Sequence, residues 1–413
     1  MEFFRIARTQ QTFTSRQLPD VEDACIEELE KLNLRSKIAK NDRVAVSLGS
    51  RGIKDIEKIA RCVVTYLKDI GASPFIIPVM GSHGGGTAQG QVKVLAGYGI
   101  TEEFTGAPIF SSMEVDKLGE VDGIPIYIDQ YANNADHIFI INRVKAHTLF
   151  HGDIESGLLK MIVIGLGKHK GALAAHKQIN PDIASEIIKK MSRLVLQQKE
   201  NVFGVALVED GYKNLAFIKA LHGAEIEKEE PKILNLSKEL LPKLPFDTLD
   251  LLILDEIGKE VSGSGMDPNV VGRMWNDPFG KPHIGRIFVR DLSEKTDGNA
   301  TGIGRADFTT TRLVEKINRH FTYANCLTSM KPEGAKIPVY FDSDREVLEN
   351  AIPTMYSRDP KSIKAIWIKN TSSLSEMFIS EALVPLAKEN KNLEVTGELL
   401  PLKFDDHGNL LKP

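Results

Sequence analysis

Cysteine is scarce, with three residues in 413, and Cys25, Cys62 and Cys326 lie far apart with no CxxC pair among them. That spacing excludes a disulfide framework and a cysteine zinc site, and leaves the expectation of reduced thiols in a cytoplasmic protein. A surplus of charge is missing too. The chain carries 52 Lys+Arg against 56 Asp+Glu, a net of -4, too balanced for a charge-driven grip on nucleic acid or anionic lipid. Long apolar runs are absent, since no window approaches the roughly 18 residues a membrane span requires. The opening MEFFRIARTQQTFTSRQ has no apolar stretch behind its charges, so no targeting leader is expected. No internal repeat or low-complexity tract appears. Neither a nucleic acid nor a membrane is an expected partner.

What is present points to an α/β chain of two domains with a largely parallel sheet in the first. The stretch 43–49 reads as a strand, and 53–70 spaces Ile53, Ile56, Ile59, Ala60, Val63, Val64 and Leu67 as one helical stripe, closed by Gly71. A buried strand at 74–80 runs into GSHGGGTAQG, a glycine loop with Thr87 as N-cap. A third strand, 137–142, leads into NRVKAHTLFHGDIESGLLKMIVIGLGKHKGALAAH, residues 142–176, which holds four of the ten histidines. His83 and that cluster therefore fall at the carboxyl ends of strands, where open α/β sheets gather ligands. Helices are expected at 182–198 and 226–241 with a strand at 203–208 between them. The segment KLPFDTL at 243–249 reads as a hinge. A second α/β unit follows, with strands at 249–254, 287–289 and 363–368 and helices near 307–317 and 373–389. The boundaries expected are 1–245 for the catalytic and cofactor-binding domain and 246–389 for the smaller one, with the tail 390–413 packing back on the first. The active site is expected in the cleft between them.

Imidazole can take a proton, give one or bind a borderline metal, but each of His83, His147, His151 and His176 taken singly reads first as a hydrogen-bonded structural or surface residue. Their convergence at one sheet edge is what favours chemistry, because two facing imidazoles can serve as paired acid and base. Lys160 sits inside the apolar run Leu158 to Leu166. Desolvation there favours a neutral nucleophilic amine; the competing reading is a snorkelling surface lysine. GLGKHKG at 165–171 fits neither the Rossmann fingerprint nor a Walker loop. Gly165, Gly167 and Lys168 could still cradle a phosphate, or simply end one helix and start another. Arg51 in SLGSRGIKD could clamp a carboxylate bidentately, or lie on the surface at a helix start. SGSGMDPNVVGRMW at 262–275 and DGNATGIGRADF at 297–308 are either closing loops or turns.

Taken together these segments resemble the nickel-pincer lactate racemase family, the nickel-dependent 2-hydroxyacid racemases and epimerases. The resemblance rests on VAVSLGSRGIKD, on Gly81-Ser82-His83 with Thr87 after it, on Ala146-His147, Gly152, Ser156-Gly157 and Lys160, and above all on His176, sixteen residues beyond that lysine. It implies an isomerase in which Lys160 carries a nickel-pincer nucleotide, pyridinium-3,5-bisthiocarboxylic acid mononucleotide, through a thioamide, and His176 is the nickel ligand. Ser156, Gly157, Gly165, Gly167 and Lys168 would line that cofactor. His83 and His147 would be the acid/base pair, with His151 the alternative to His147, and hydride would pass to and from the pyridinium ring. Arg51 would hold the substrate carboxylate, assisted by Arg273.

Departures from the family pattern are specific. The segment from His147 to Lys160 is longer, Leu48 stands where an acidic residue is usual, and Val271-Gly272 and Trp275 replace a Tyr-Gln pair and a lysine. They imply a divergent member with altered substrate contacts, and leave open which 2-hydroxyacid it takes. The partners implied are that small-molecule hydroxy acid, the cofactor-biosynthesis enzymes for maturation, and a second copy in a homo-oligomer. Two other readings keep the fold: a hydrolase or dehydrogenase using another metal or nucleotide, and a ligand-binding relative without turnover.

Overall fold

The computed structural model describes residues 2–413 apart from Arg51, Ser82, Asn276, Pro278, Phe279 and 356–358, and apart from the side chains of His176, Lys177 and Pro181. The chain forms two compact units, Thr14–Leu241 and a second made of Met1–Phe13 with Pro242–Pro413.

The Thr14–Leu241 unit is built on a five-stranded sheet, ordered Ser73–Pro78, Arg43–Leu48, His137–Arg143, Val202–Glu209, Leu215–His222. The first four strands run parallel and the last is antiparallel. Nearly continuous burial along these strands is what a sheet covered on both faces demands. One face packs Ile59, Val63 and Leu67 of the helix Ile56–Asp69 against Val44 and Val46. The other packs Ile188, Met191 and Val195 of the helix Ala184–Gln198 against Ile138 and Ile140. Thr87 caps its helix as the sequence predicts, its hydroxyl accepting from the Gly90 amide at 3.1 Å. The helices Val21–Glu30 and Ile56–Asp69 bring Cys25 and Cys62 together, although they are distant in sequence. A hydrogen bond to Cys62 and burial push the Cys25 thiol up, and all three cysteines are free and buried.

The second unit centres on a nine-stranded sheet in which Val339–Phe341, Phe308–Thr310, His283–Leu292, Thr248–Ile257 and Ala365–Ile368 run parallel. Glu376–Ser380, Arg5–Gln11 and Leu393–Val395 then extend it antiparallel.

Three sequence expectations change here. The helix expected near 373–389 is a strand followed by a short helix, Val384–Glu389, because Met377–Ser380 is buried on both faces of an interior strand. The helix expected near 307–317 begins as the strand Phe308–Thr310, where the hydroxyls of Thr309 and Thr310 bond the carbonyls of Val289 and Arg290 at 2.8 and 2.7 Å. The division of the chain also differs from the 1–245 and 246–389 expected. The strand Arg5–Gln11 belongs to the second unit, and the tail pairs with that strand through Leu393–Val395 and Leu400–Pro401 instead of returning to the first. Among the described residues no helix is long and apolar enough to cross a membrane.

Candidate functional site

In the first unit the strand order reverses between Arg43–Leu48 and His137–Arg143, the kind of switch point at whose carboxyl edge open α/β sheets gather ligands. The loops that follow these strands and Ser73–Pro78 carry Arg51, His83 and the 144–157 segment. Arg51 itself lies outside the described residues.

The 144–157 loop doubles back on itself. Lys145 and Ser156 exchange backbone hydrogen bonds of 2.8 and 3.1 Å, which is the role of half-buried Ser156. Inside the loop Glu155 is fully buried, accepting from the His147 amide at 2.6 Å and the Gly152 amide at 3.3 Å. Lys238, from the helix Gly223–Leu240, meets it at 2.6 Å and His151 at 3.4 Å. Burial pushes its carboxyl up, but His151, Lys238 and the His147 amide outweigh burial and hold it below its ordinary value. His151 is thus an exposed partner of Glu155.

Lys160 ends the short helix Leu158–Lys160, which continues as a wider turn over Met161–Gly165 closed by the Leu166 amide on the Met161 carbonyl. Beneath its N-terminus lies Glu230, completely buried, with one carboxyl oxygen accepting from the Leu159 amide at 3.0 Å. A carboxylate there satisfies an orphan amide and complements the helix dipole. Its other oxygen, Oε1, has no hydrogen-bond partner among the described residues, and burial pushes the group up to about 7. Gly157 is required by this approach, because a Cβ there would stand 2.1 Å from Oε1.

The side chains of Lys160 and His147 meet. Nζ lies 2.6 Å from Nε2 of the ring, and both residues are half-buried. The ring's other nitrogen, Nδ1, accepts from the Leu149 amide at 3.1 Å, and the ring packs on Phe150 with centroids 4.3 Å apart. Two positive charges at that separation would repel by about 6 kcal/mol even at an effective dielectric of about 20. Lysine and histidine therefore share at most one charge.

His83 is exposed on the neighbouring loop, its Nδ1 2.8 Å from the Met80 carbonyl. A carbonyl only accepts, so Nδ1 carries the hydrogen and Nε2 the lone pair. Buried Gln91 holds this loop, donating to the carbonyls of Gly81 at 2.9 Å and His83 at 3.5 Å. Lys168 stands behind Gln91. It is fully buried, 3.1 Å from the equally buried Asp129, and donates to the carbonyl of Pro78. Burial pushes its amine down against the pull of Asp129. Its amine is held inside the protein by these two partners. Gly165 and Gly167 are packing glycines of the same kind: a Cβ would stand 2.8 Å from the Met161 side chain at the first and 2.8 Å from the Val163 carbonyl at the second.

At Lys168 the backbone turns left-handed, with φ 52°, and the helix Lys168–Gln178 begins. A straight helix would set positions 160 and 176 about 24 Å apart; this break takes them off one rod. His176 lies in that second helix and its side chain lies outside the described residues. Ala172, one turn before it, packs against the His83 loop, 3.4 Å from where a Cβ on Gly81 would stand. In the second unit Arg273 is committed to Asp307 at 2.8 Å and to the carbonyls of Arg305 and Ile284 at 2.7 and 2.9 Å. Among the described residues no three His, Cys, Asp or Glu gather as a metal site.

Glu155, Glu230, Gln91 and Asp129 escape a reading of the sequence. Only Glu230 leaves a signal there, since it falls on the stripe Ile226, Ile233, Leu234 that its helix buries, whereas Glu229 beside it pairs with Lys232 at the surface.

No protein-family model matches the chain, and no curated protein matches it. Solved structures do. A protein from Thermotoga maritima solved by structural genomics is 17% identical at a TM-score of 0.49, covering 87% of this chain and 99% of its own. A lactate racemase apoprotein from Thermoanaerobacterium thermosaccharolyticum is 14% identical at a TM-score of 0.50, covering 93% of this chain and 92% of its own. The chain shares the fold of that racemase apoprotein.

Proposed function

We propose that the chain is a racemase or epimerase of a 2-hydroxyacid, an isomerase of the lactate racemase type, and that Lys160 carries a nickel-pincer nucleotide. One observation carries the reading: in a fold shared with a lactate racemase apoprotein, the amine of Lys160 meets the imidazole of His147 at 2.6 Å. A half-buried amine beside an imidazole, at the carboxyl edge of the sheet, fits the attachment end of such a group. Lys160 would hold it and His176 would be its protein metal ligand. When bound, the group supplies a hydride acceptor and an electrophilic metal. Lys168, Gly165 and Gly167 act as the packed support behind the site.

The two histidines supply the proton chemistry. His83 presents a lone pair at Nε2, because the Met80 carbonyl occupies its Nδ1 hydrogen, and it takes the substrate's hydroxyl proton. His147 has the opposite tautomer, because the Leu149 amide occupies its Nδ1 lone pair, so its Nε2 hydrogen steadies the substrate oxygen by a hydrogen bond while the proton taken by His83 is the one returned. Exchange of those roles serves the other enantiomer. Arg51 is assigned the substrate carboxylate, which a planar guanidinium binds bidentately. Arg273 is spent on Asp307, and lends its support by shaping the second unit's loops.

The test is chiral chromatography of single-enantiomer 2-hydroxyacids, aldonic and branched acids included, incubated with protein matured alongside cofactor-making enzymes. Interconversion towards an equal mixture is expected, with His83→Ala and His147→Ala each slower by about 100-fold or more. Absence of interconversion across the panel in protein shown to carry the group contradicts the proposal.

A further inference from the structure

The contact between Lys160 and His147 fixes which partner holds the proton. Neutral imidazole has one N–H and one lone pair. The Leu149 amide hydrogen points at Nδ1, so the lone pair is there and the N–H is at Nε2. Nε2 faces Nζ at 2.6 Å, and a donor can be answered only by an acceptor. An ammonium has three donors and no lone pair. We infer that Lys160 stands as a neutral amine accepting a hydrogen bond from His147, a nucleophile prepared for acylation before any cofactor arrives.

Two buried carboxylates hold the backbone on either side of the pair. From the loop, Glu155 is the carboxylate closest to the His147 backbone, and its charge is answered by Lys238 and His151. From the helix Gly223–Leu240, Glu230 lies beneath the lysine helix and spends one oxygen on the Leu159 amide.

The inference deepens the proposed function and rests on it for one consequence. Once Nζ is acylated its lone pair is delocalised into the new amide or thioamide and no longer accepts, so the Nε2 hydrogen of His147 is released. The ring can then donate that hydrogen bond to the substrate oxygen. Tethering would thus switch His147 from activating the lysine to serving the reaction.

The test needs neither cofactor nor turnover. The full chain is treated with limiting acetic anhydride, and acetylation of each lysine is followed by peptide mass spectrometry. In this step the Nζ lone pair forms an N–C bond, the anhydride C–O bond breaks, acetate leaves with the electron pair, and the nitrogen's proton goes to buffer. An ordinary lysine near pH 7.4 is neutral to about one part in a thousand. Lys160 is expected to react at least about tenfold faster than exposed Lys117 and Lys232. Its rate should stay flat from about pH 7 to 9 while theirs rise about tenfold per unit. His147→Phe should return Lys160 to the surface rate and the surface pH slope. Should that variant not fold, the wild-type pH profile decides alone. A Lys160 rate that climbs with pH like those of Lys117 and Lys232 overturns the inference and leaves the proposed function standing. A reactive Lys160 that never carries a nucleotide after co-expression does the reverse.

Discussion

Two buried glutamates hold the lysine segment by opposite electrostatics, and single substitutions separate them. Glu230 has its folded value raised from 4.5 to about 7 by burial. A raised acid stabilises the fold fully below its unfolded value and loses that contribution as pH climbs through the folded one. The wild type should therefore lose about 3 kcal/mol between about pH 4.5 and 7, a loss that Glu230→Gln removes, as read by urea unfolding across pH. Glu155 runs the other way, because His151, Lys238 and an amide hold it below its ordinary value. Its contribution is present above the unfolded value and lost on acidification through the lower folded one. Glu155→Ala is expected to cost about 2 kcal/mol at neutral pH by the same measurement. It also frees the His147 amide, so the Lys160 acetylation rate should fall with it.

At the scale of elements, the sequence shows the strands that bring the histidines to one edge but not the supports behind them. His83 and His147 are legible because buried parallel strands are apolar runs, and each run here ends in a loop that carries one. The Lys168 pairing is not legible, since Asp129 ends a hairpin strand 39 positions earlier and nothing local links the two. The strand Glu376–Ser380 reads as a helix because a doubly buried strand has no alternation to betray it. Lys168→Met should leave Asp129 buried and unpaired, at a cost of about 3–5 kcal/mol. The double variant Lys168→Met with Asp129→Asn should recover part of that loss, and a double-mutant cycle on unfolding free energies measures the coupling. Gly157→Ala meets the Glu230 carboxyl, and the helix must lift. A loss of about 1–3 kcal/mol is expected, with Lys160 acetylation slowed because Nζ withdraws from His147.

For the whole molecule, the strand Arg5–Gln11 is separated by over two hundred residues from its neighbours Glu376–Ser380 and Leu393–Val395, so the second unit closes only when both ends of the chain are present. Removing residues 1–13 should expose edges in the nine-stranded sheet and abolish the unfolding transition of the Pro242–Pro413 unit, while Thr14–Leu241 keeps its own. Calorimetry with limited proteolysis reads both. This arrangement was hidden from the sequence because pairing between the two ends leaves no local pattern. The central claim concerns Lys160, and its most direct measurement is the mass of the peptide that contains it, with nickel content, after co-expression with cofactor-making enzymes. The account predicts a covalent adduct of the nickel-pincer nucleotide on Lys160 and about one nickel per chain, both lost in Lys160→Arg. An unmodified Lys160 without nickel, beside a lactate racemase loaded in the same cells, would contradict it.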